Sequence, residues 1–365
     1  MHPSSTQQAT SLKTLEYLRK IGEDGLKNEF IEDWKARGEK VVGWLCTYVP
    51  EEMIHAAGML PVRVMGEIGG VEEAKEAEAY LYANTCFFAR SCLEVALKKG
   101  YDFLDLVVAG NTCDPIRRLY DVWRHYLTTP AHILSIPHKL TDHGIDYFRG
   151  QFQEFRKVLE EISEEPISEG ALRDSIAIYN RSRRLLREIY DFRQTDPPLL
   201  SGSEALEVVR AGWAMPRGRY IEPLEALREE LRDRPPLPPG RARLLISGSL
   251  LDRPEFIGAI EALGAWVVTD ELCTGTRYFW TEVDEGLDPL EGLARRYLER
   301  PPCARMRPYT RRLDHIREMA RTFQVDGVLY ETIKFCELYG QDKPMISEEL
   351  EAEGIPVLEL DLEYG

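Results

Sequence analysis

Apolar residues recur along this chain at two different spacings, and the change from one to the other marks its elements. Leu12, Leu15, Leu18 and Ile21 fall on one face of a helix, so residues 1–40 read as a polar, helical lead-in. Short, uninterrupted apolar runs follow. Residues 41–45 form the first, ending at Cys46; 61–65, 104–109 and 132–136 form three more. The run at 104–109 has the length and continuity of a parallel strand buried on both faces. Between the first two runs, residues 50–58 read as a helix, with Pro50, Glu51 and Glu52 in its first turn and Gly58 at its end. Strands alternating with helices predict βαβ units and a parallel sheet over residues 41–144.

From about residue 145 the pattern is helical and highly charged, with no strand-like run. Pro235, Pro236, Pro238, Pro239 and Gly240 then interrupt it, so 145–240 reads as a helical segment closed by a proline-rich linker. Strand-like runs resume at 244–246, 266–268, 327–329 and 356–360. The second block, 241–365, repeats the first in order: Pro254 to Val268 echoes Pro50 to Val64, and Asp326 to Glu337 echoes Asp105 to Asp114. The predicted fold class is α/β, with two related doubly wound (Rossmann-like) parallel-sheet domains and a helical segment between them.

Composition narrows the function classes. A chain of 365 residues suits two or three domains at roughly 150 residues each. The excess of 62 Asp and Glu over 46 Lys and Arg gives a net charge of −16, which argues against a nucleic-acid partner. No apolar run reaches the roughly 18 residues of a membrane span, and the N-terminal stretch has no apolar signal region. The expectation is a cytoplasmic protein with reduced thiols and no membrane partner.

Seven cysteines therefore become the informative residues. Cys46, Cys113, Cys273 and Cys336 each follow a predicted strand closely, and ligands in open α/β sheets bind beyond the carboxyl ends of strands. Cys86 and Cys303 lie between the second and third strands of their blocks. Each block thus supplies three. Cys92 falls inside a helical run and reads as a structural core residue. The six others are either buried core thiols or metal ligands. Zinc sites favour closely spaced Cys-x2-4-Cys pairs, which are absent, whereas dispersed thiolates suit an iron–sulfur cluster.

Several stretches together resemble the catalytic subunits of the 2-hydroxyacyl-CoA dehydratase and benzoyl-CoA reductase family, including the double-cubane cluster proteins. They are Gly43 to Gly58, the segment around Cys86, Gly110 to Asp114, Asp326 to Cys336, and Gly354 to Asp361. The resemblance implies that cysteines hold a [4Fe-4S] cluster or a double cubane. It also implies a separate homodimeric ATPase activator, with its own iron–sulfur cluster, that delivers single low-potential electrons to a CoA thioester. A homologous or identical second subunit is implied as well. No Gly-x4-Gly-Lys-Ser/Thr loop occurs here, so ATP would act only through that partner. By the same resemblance Cys86, Cys113 and Cys336 match the ligands of one cubane. Cys46, Cys273 and Cys303 exceed that need, which points to the reductase branch or the double-cubane proteins. The leading expectation is an iron–sulfur reductase subunit acting on an aromatic acyl-CoA. The alternatives are a double-cubane reductase of small molecules, a (R)-2-hydroxyacyl-CoA dehydratase working through a ketyl radical, and an electron-relay subunit without its own substrate site.

Other residues carry weaker signals. Glu51 and His55, with Glu52, follow Cys46 closely enough to be proton donors, although glutamates also simply suit a helix start. Asp114 and Arg117 have the spacing of a helical ion pair. Arg181, Arg183, Arg184 and Arg187 could meet CoA phosphates, but a solvated helix face is the ordinary reading of such a run. Thr274 to Arg277 reads as part of the loop carrying Cys273. His125, His132, His138 and His143 show no metal-ligand spacing.

Overall fold

The computed structural model describes residues 12–66 and 73–364. The first eleven residues of the expected lead-in lie outside that range. The rest of it forms two helices, α1 (Lys13–Asp24) and α2 (Glu29–Ala36). Asn28 starts the second by accepting hydrogen bonds from the backbone N–H groups of Phe30 and Ile31, which would otherwise lack partners.

The first sheet follows: β1 (Val41–Trp44), α3 (Glu51–Ala56), β2 (Leu60–Arg63), α4 (Phe87–Leu97), β3 (Leu106–Gly110), α5 (Asp114–Tyr126) and β4 (Ala131–Leu134). Four helices come next, α6 (Asp142–Ser163), α7 (Glu169–Asp191), α8 (Gly202–Ala211) and α9 (Arg217–Arg232). The second sheet is built from β5 (Ala242–Gly248), α10 (Pro254–Ala262), β6 (Ala265–Glu271), α11 (Thr276–Phe279), α12 (Pro289–Glu299), α13 (Thr310–Thr322), β7 (Gly327–Ile333), α14 (Glu337–Ala352) and β8 (Val357–Leu362).

The two sheets share one topology. Their orders are β2-β1-β3-β4 and β6-β5-β7-β8, and every pairing is parallel. The α/β, doubly wound fold expected from the strand and helix pattern is what forms, and the repeat seen weakly in sequence is exact in strand order. Each expected strand is present. Those at β6 and β7 run further than their apolar cores, because their polar ends are buried with partners: Glu271 meets Arg277 and Arg312, and Ser249 donates to Glu331. At the centre of β1, Gly43 leaves room for its neighbours. A Cβ there would lie 2.7 Å from side-chain atoms of both Leu104 and Val64.

Buried arginines tie the halves together. Arg300 donates to Thr47 Oγ1 (2.8 Å), and Arg305 donates to the carbonyls of Thr112 and Ile136, so the second half satisfies loop groups of the first. Glu52, fully buried at the start of α3, accepts from Arg183 of α7 and from the Tyr297 hydroxyl of α12 (2.8 Å). The solvated face expected of the α7 arginines therefore does not describe Arg183, whose guanidinium neutralises a buried carboxylate. Arg181 pairs with Glu225, and Arg184 and Arg187 both pair with Glu282.

Removing one member of a buried ion pair strands the other's charge, at a typical cost of about 3–5 kcal/mol. Arg183→Leu should lower the denaturation midpoint accordingly, and adding Glu52→Gln should recover most of the loss. A double variant no more stable than Arg183→Leu would show that the two groups do not depend on each other.

Candidate metal centre

The carboxyl ends of the strands from both sheets face one buried cavity of about 120 Å³. Cys46, Cys86, Cys113, Cys273, Cys303 and Cys336 all line it. Each is partly accessible because it faces that space while lying deep in the chain. Cys92 does not line it and is fully buried within α4.

Two chemically distinct groups of three emerge. Cys86, Cys113 and Cys336 are the residues immediately preceding α4, α5 and α14. Three helix N-termini therefore converge on these sulfurs, a placement that favours negative charge. Backbone N–H groups of Phe88 and Ala89 serve Cys86, and that of Ile116 serves Cys113. After burial, the neighbouring thiols of Cys86 and Cys113 are the foremost influences on the Cys336 thiol. Cys46, Cys273 and Cys303 lie instead on loops among side-chain donors. Arg63, which lies at the end of β2, donates to the Cys273 carbonyl (3.1 Å) and reaches its sulfur (3.4 Å). Tyr339 donates to the Cys303 sulfur (3.5 Å) and itself accepts from Arg277. The Cys303 backbone N–H donates to Tyr48 (3.3 Å).

The three-per-half count holds, but the halves are not copies. Cys86 matches Cys303 and Cys113 matches Cys336 in topology, whereas Cys46 follows β1 and Cys273 follows β6, the counterpart of β2. Each chemical group draws members from both halves.

Burial pushes the thiols of Cys86, Cys113, Cys303 and Cys336 above their usual range, and the neighbouring thiols add to it for the last three. A metal binding there must displace protons. The donor set fits an iron–sulfur cluster: six soft sulfur ligands in a mostly apolar surround with hydrogen bonds to sulfur. Among the described residues, no three His, Cys, Asp or Glu side chains sit close enough to hold a single metal ion. Thiolates around a multi-iron core are held apart by that core, so the spread of these six suits a cluster better than zinc.

The proposed proton donors lie elsewhere. Neither Glu51 nor His55 lines the cavity. Glu51 is buried against Arg217 (3.0 Å), and burial raises its carboxyl pKa. Desolvation opposes ionisation of Glu52 most, but Arg183, Arg296 and hydrogen bonds together hold that carboxyl below the usual range. His55 Nδ1 is 3.0 Å from Ser175 Oγ, and burial lowers its pKa. Asp114 and Arg117 form the exposed helical pair that their spacing suggests (3.2 Å). Arg277 does face the cavity, while Thr274 donates to the Leu251 carbonyl.

Three groups near the thiols escaped the sequence reading: Arg63, Tyr339 and Glu331. A charged residue inside an otherwise apolar strand, as at Arg63 and Glu331, was the available signal. Glu331 accepts from Ser249 (2.9 Å), and its other oxygen has no hydrogen-bond partner among the described residues.

A family model described as "2-hydroxyglutaryl-CoA dehydratase, D-component" matches residues 46–365. The chain belongs to that family. It is 28% identical to a benzoyl-CoA reductase subunit of Thauera aromatica, over 89% of this chain and 86% of that protein. It is 32% identical to "Putative dehydratase subunit YjiM" of Escherichia coli (strain K12), over 92% of this chain and 89% of that protein. It is 26% identical to the beta subunit of (R)-2-hydroxyglutaryl-CoA dehydratase of Acidaminococcus fermentans, over 90% and 89%. The relatives are thus dehydratase and reductase subunits, in agreement with the sequence resemblance. No helix among the described residues is long and apolar enough to cross a membrane.

Burial lifts the Glu331 carboxyl to about 7, against the opposing pull of Ser249, Arg277 and Arg312. The folded chain then binds this proton more tightly than the unfolded one, so this group's contribution to stability is greatest below pH ~4.5 and declines as pH rises to about 7. Denaturation of the cluster-free chain and of Glu331→Gln across that window should show the variant gaining stability relative to the native chain as pH rises, by up to about 3 kcal/mol. Identical pH profiles for the two proteins would contradict the assignment.

Proposed function

We propose that this chain is the iron–sulfur subunit of a low-potential reductase within its family, and that its six cavity thiols hold one cluster larger than a single cubane. The observation that supports this most is the convergence of all six cysteines, three from each half, on one buried space. When bound, such a cluster would supply single electrons at very negative potential, since iron–sulfur centres reach down to about −700 mV. The protein's part is to ligate it, to place helix N-termini and arginines around its sulfurs, and to exclude water. A separate ATPase activator with its own cluster is the proposed electron source, and a homologous or identical subunit the proposed partner.

The substrate we favour is an aromatic acyl-CoA thioester. Its support is the similarity to the Thauera aromatica protein named as part of benzoyl-CoA reductase. An open groove of about 560 Å³, lined by Lys334, Phe335, Cys336 and Gly340, offers an approach from the surface to a cavity thiol. Dehydration of a 2-hydroxyacyl-CoA is the alternative that the other relatives' names support.

Anaerobic reconstitution followed by iron and sulfide analysis and EPR tests the reading. About eight irons per chain are expected, against about four for one cubane. Cys46→Ala, Cys273→Ala and Cys303→Ala should each lower the count, whereas Cys92→Ala should not. A chain that takes up no iron would overturn the proposal.

A further inference from the structure

Arg63 faces two cavities. It is 2% exposed, its guanidinium lies between the indoles of Trp44 (5.1 Å) and Trp213 (4.6 Å), and on one side it reaches Cys273. It also lines a second, separate cavity of about 260 Å³, shared with Met65, Arg210, Trp213, Asp252 and Tyr364. This partly open space lies where α1, the end of β2, the end of α8, the loop after β5 and the C-terminal residues meet.

Among the described residues lining it, the charges do not balance. Among the described residues, neither Arg63 nor Arg210 lies within ion-pair distance of a carboxylate, although both act on Asp252 across the cavity; Arg210 donates to the Gly22 carbonyl (3.2 Å). The inner acid, Asp252, is already engaged by the Tyr364 hydroxyl (2.5 Å), and burial opposes its ionisation. Arg253 and Glu255 are exposed at the rim. Two guanidiniums thus face one occupied carboxyl in a recessed space, where an anion would gain charge-assisted hydrogen bonds. Met65, Trp213 and Ala214 add apolar walls. The volume falls below the roughly 300 Å³ at which sites for drug-sized ligands begin, so a CoA thioester does not fit.

We propose that this cavity binds a small organic carboxylate, with its oxygens at Arg210 and Arg63 and its apolar body against Trp213 and Met65. Arg63 then serves two groups at once, the anion on one side and Cys273 on the other. The proposal stands whatever the thiols hold, and its test uses the full chain without a cluster.

Sodium benzoate, titrated into that protein and followed by calorimetry and tryptophan fluorescence, should bind saturably with one site per chain. Benzyl alcohol, of like shape but uncharged, should bind about tenfold or more weakly. Arg210→Gln, at a partly exposed position, should weaken benzoate by a similar factor and leave benzyl alcohol unchanged. No saturable benzoate binding, equal binding of the two probes by the native chain, or undiminished benzoate binding by both Arg210→Gln and Arg63→Gln would overturn the proposal. Iron content of the reconstituted native chain reports separately on the cluster.

Discussion

Parallel pairing constrains this molecule more than any single contact. When all strands of a sheet run one way, every strand-to-helix turn lies at the same edge. Here two such sheets of identical order turn those edges toward one interior space. Residues hundreds of positions apart meet there because each lies in a connection that leaves the carboxyl end of a strand. The turns are also where helices begin, so three N-termini arrive with Cys86, Cys113 and Cys336. The gathering of the thiols and their electrostatic support come from the same geometry.

The meeting of the halves needs polar groups to be satisfied away from water, and arginine does this. Arg300 and Arg305 cross from the second half to donate to loop groups of the first, and Arg183 neutralises Glu52. An unpaired buried charge costs several kcal/mol, so these links also fix how the halves sit. The cavity's shape, and hence the spacing of its six thiols, depends on them.

Much of this was legible in the sequence. Eight strands could be read as apolar runs, and the cysteines could be grouped because four fell just beyond those runs and Cys86 and Cys303 took matching places between the second and third strands of the two blocks. Cys92 separated from the rest by its helical setting. What stayed hidden depends on partners that no local pattern contains. Arg183 sits in a run of arginines that looks solvated, yet it meets a glutamate 131 positions away. Glu51 and His55 lie close to Cys46 in sequence but are drawn toward Arg217 and Ser175. The duplicated block suggested equivalent cysteines, whereas Cys46 and Cys273 follow topologically different strands, so the chemical grouping of the six crosses the repeat.

The central claim is that six thiols from two sheets enclose one iron–sulfur cluster. Anomalous diffraction at the iron edge from crystals of the anaerobically reconstituted chain tests it most directly. The account predicts iron peaks confined to the cavity, with Cys46, Cys86, Cys113, Cys273, Cys303 and Cys336 around them and none at Cys92. Iron bound elsewhere, or a cavity without iron in a chain that carries it, would contradict the account.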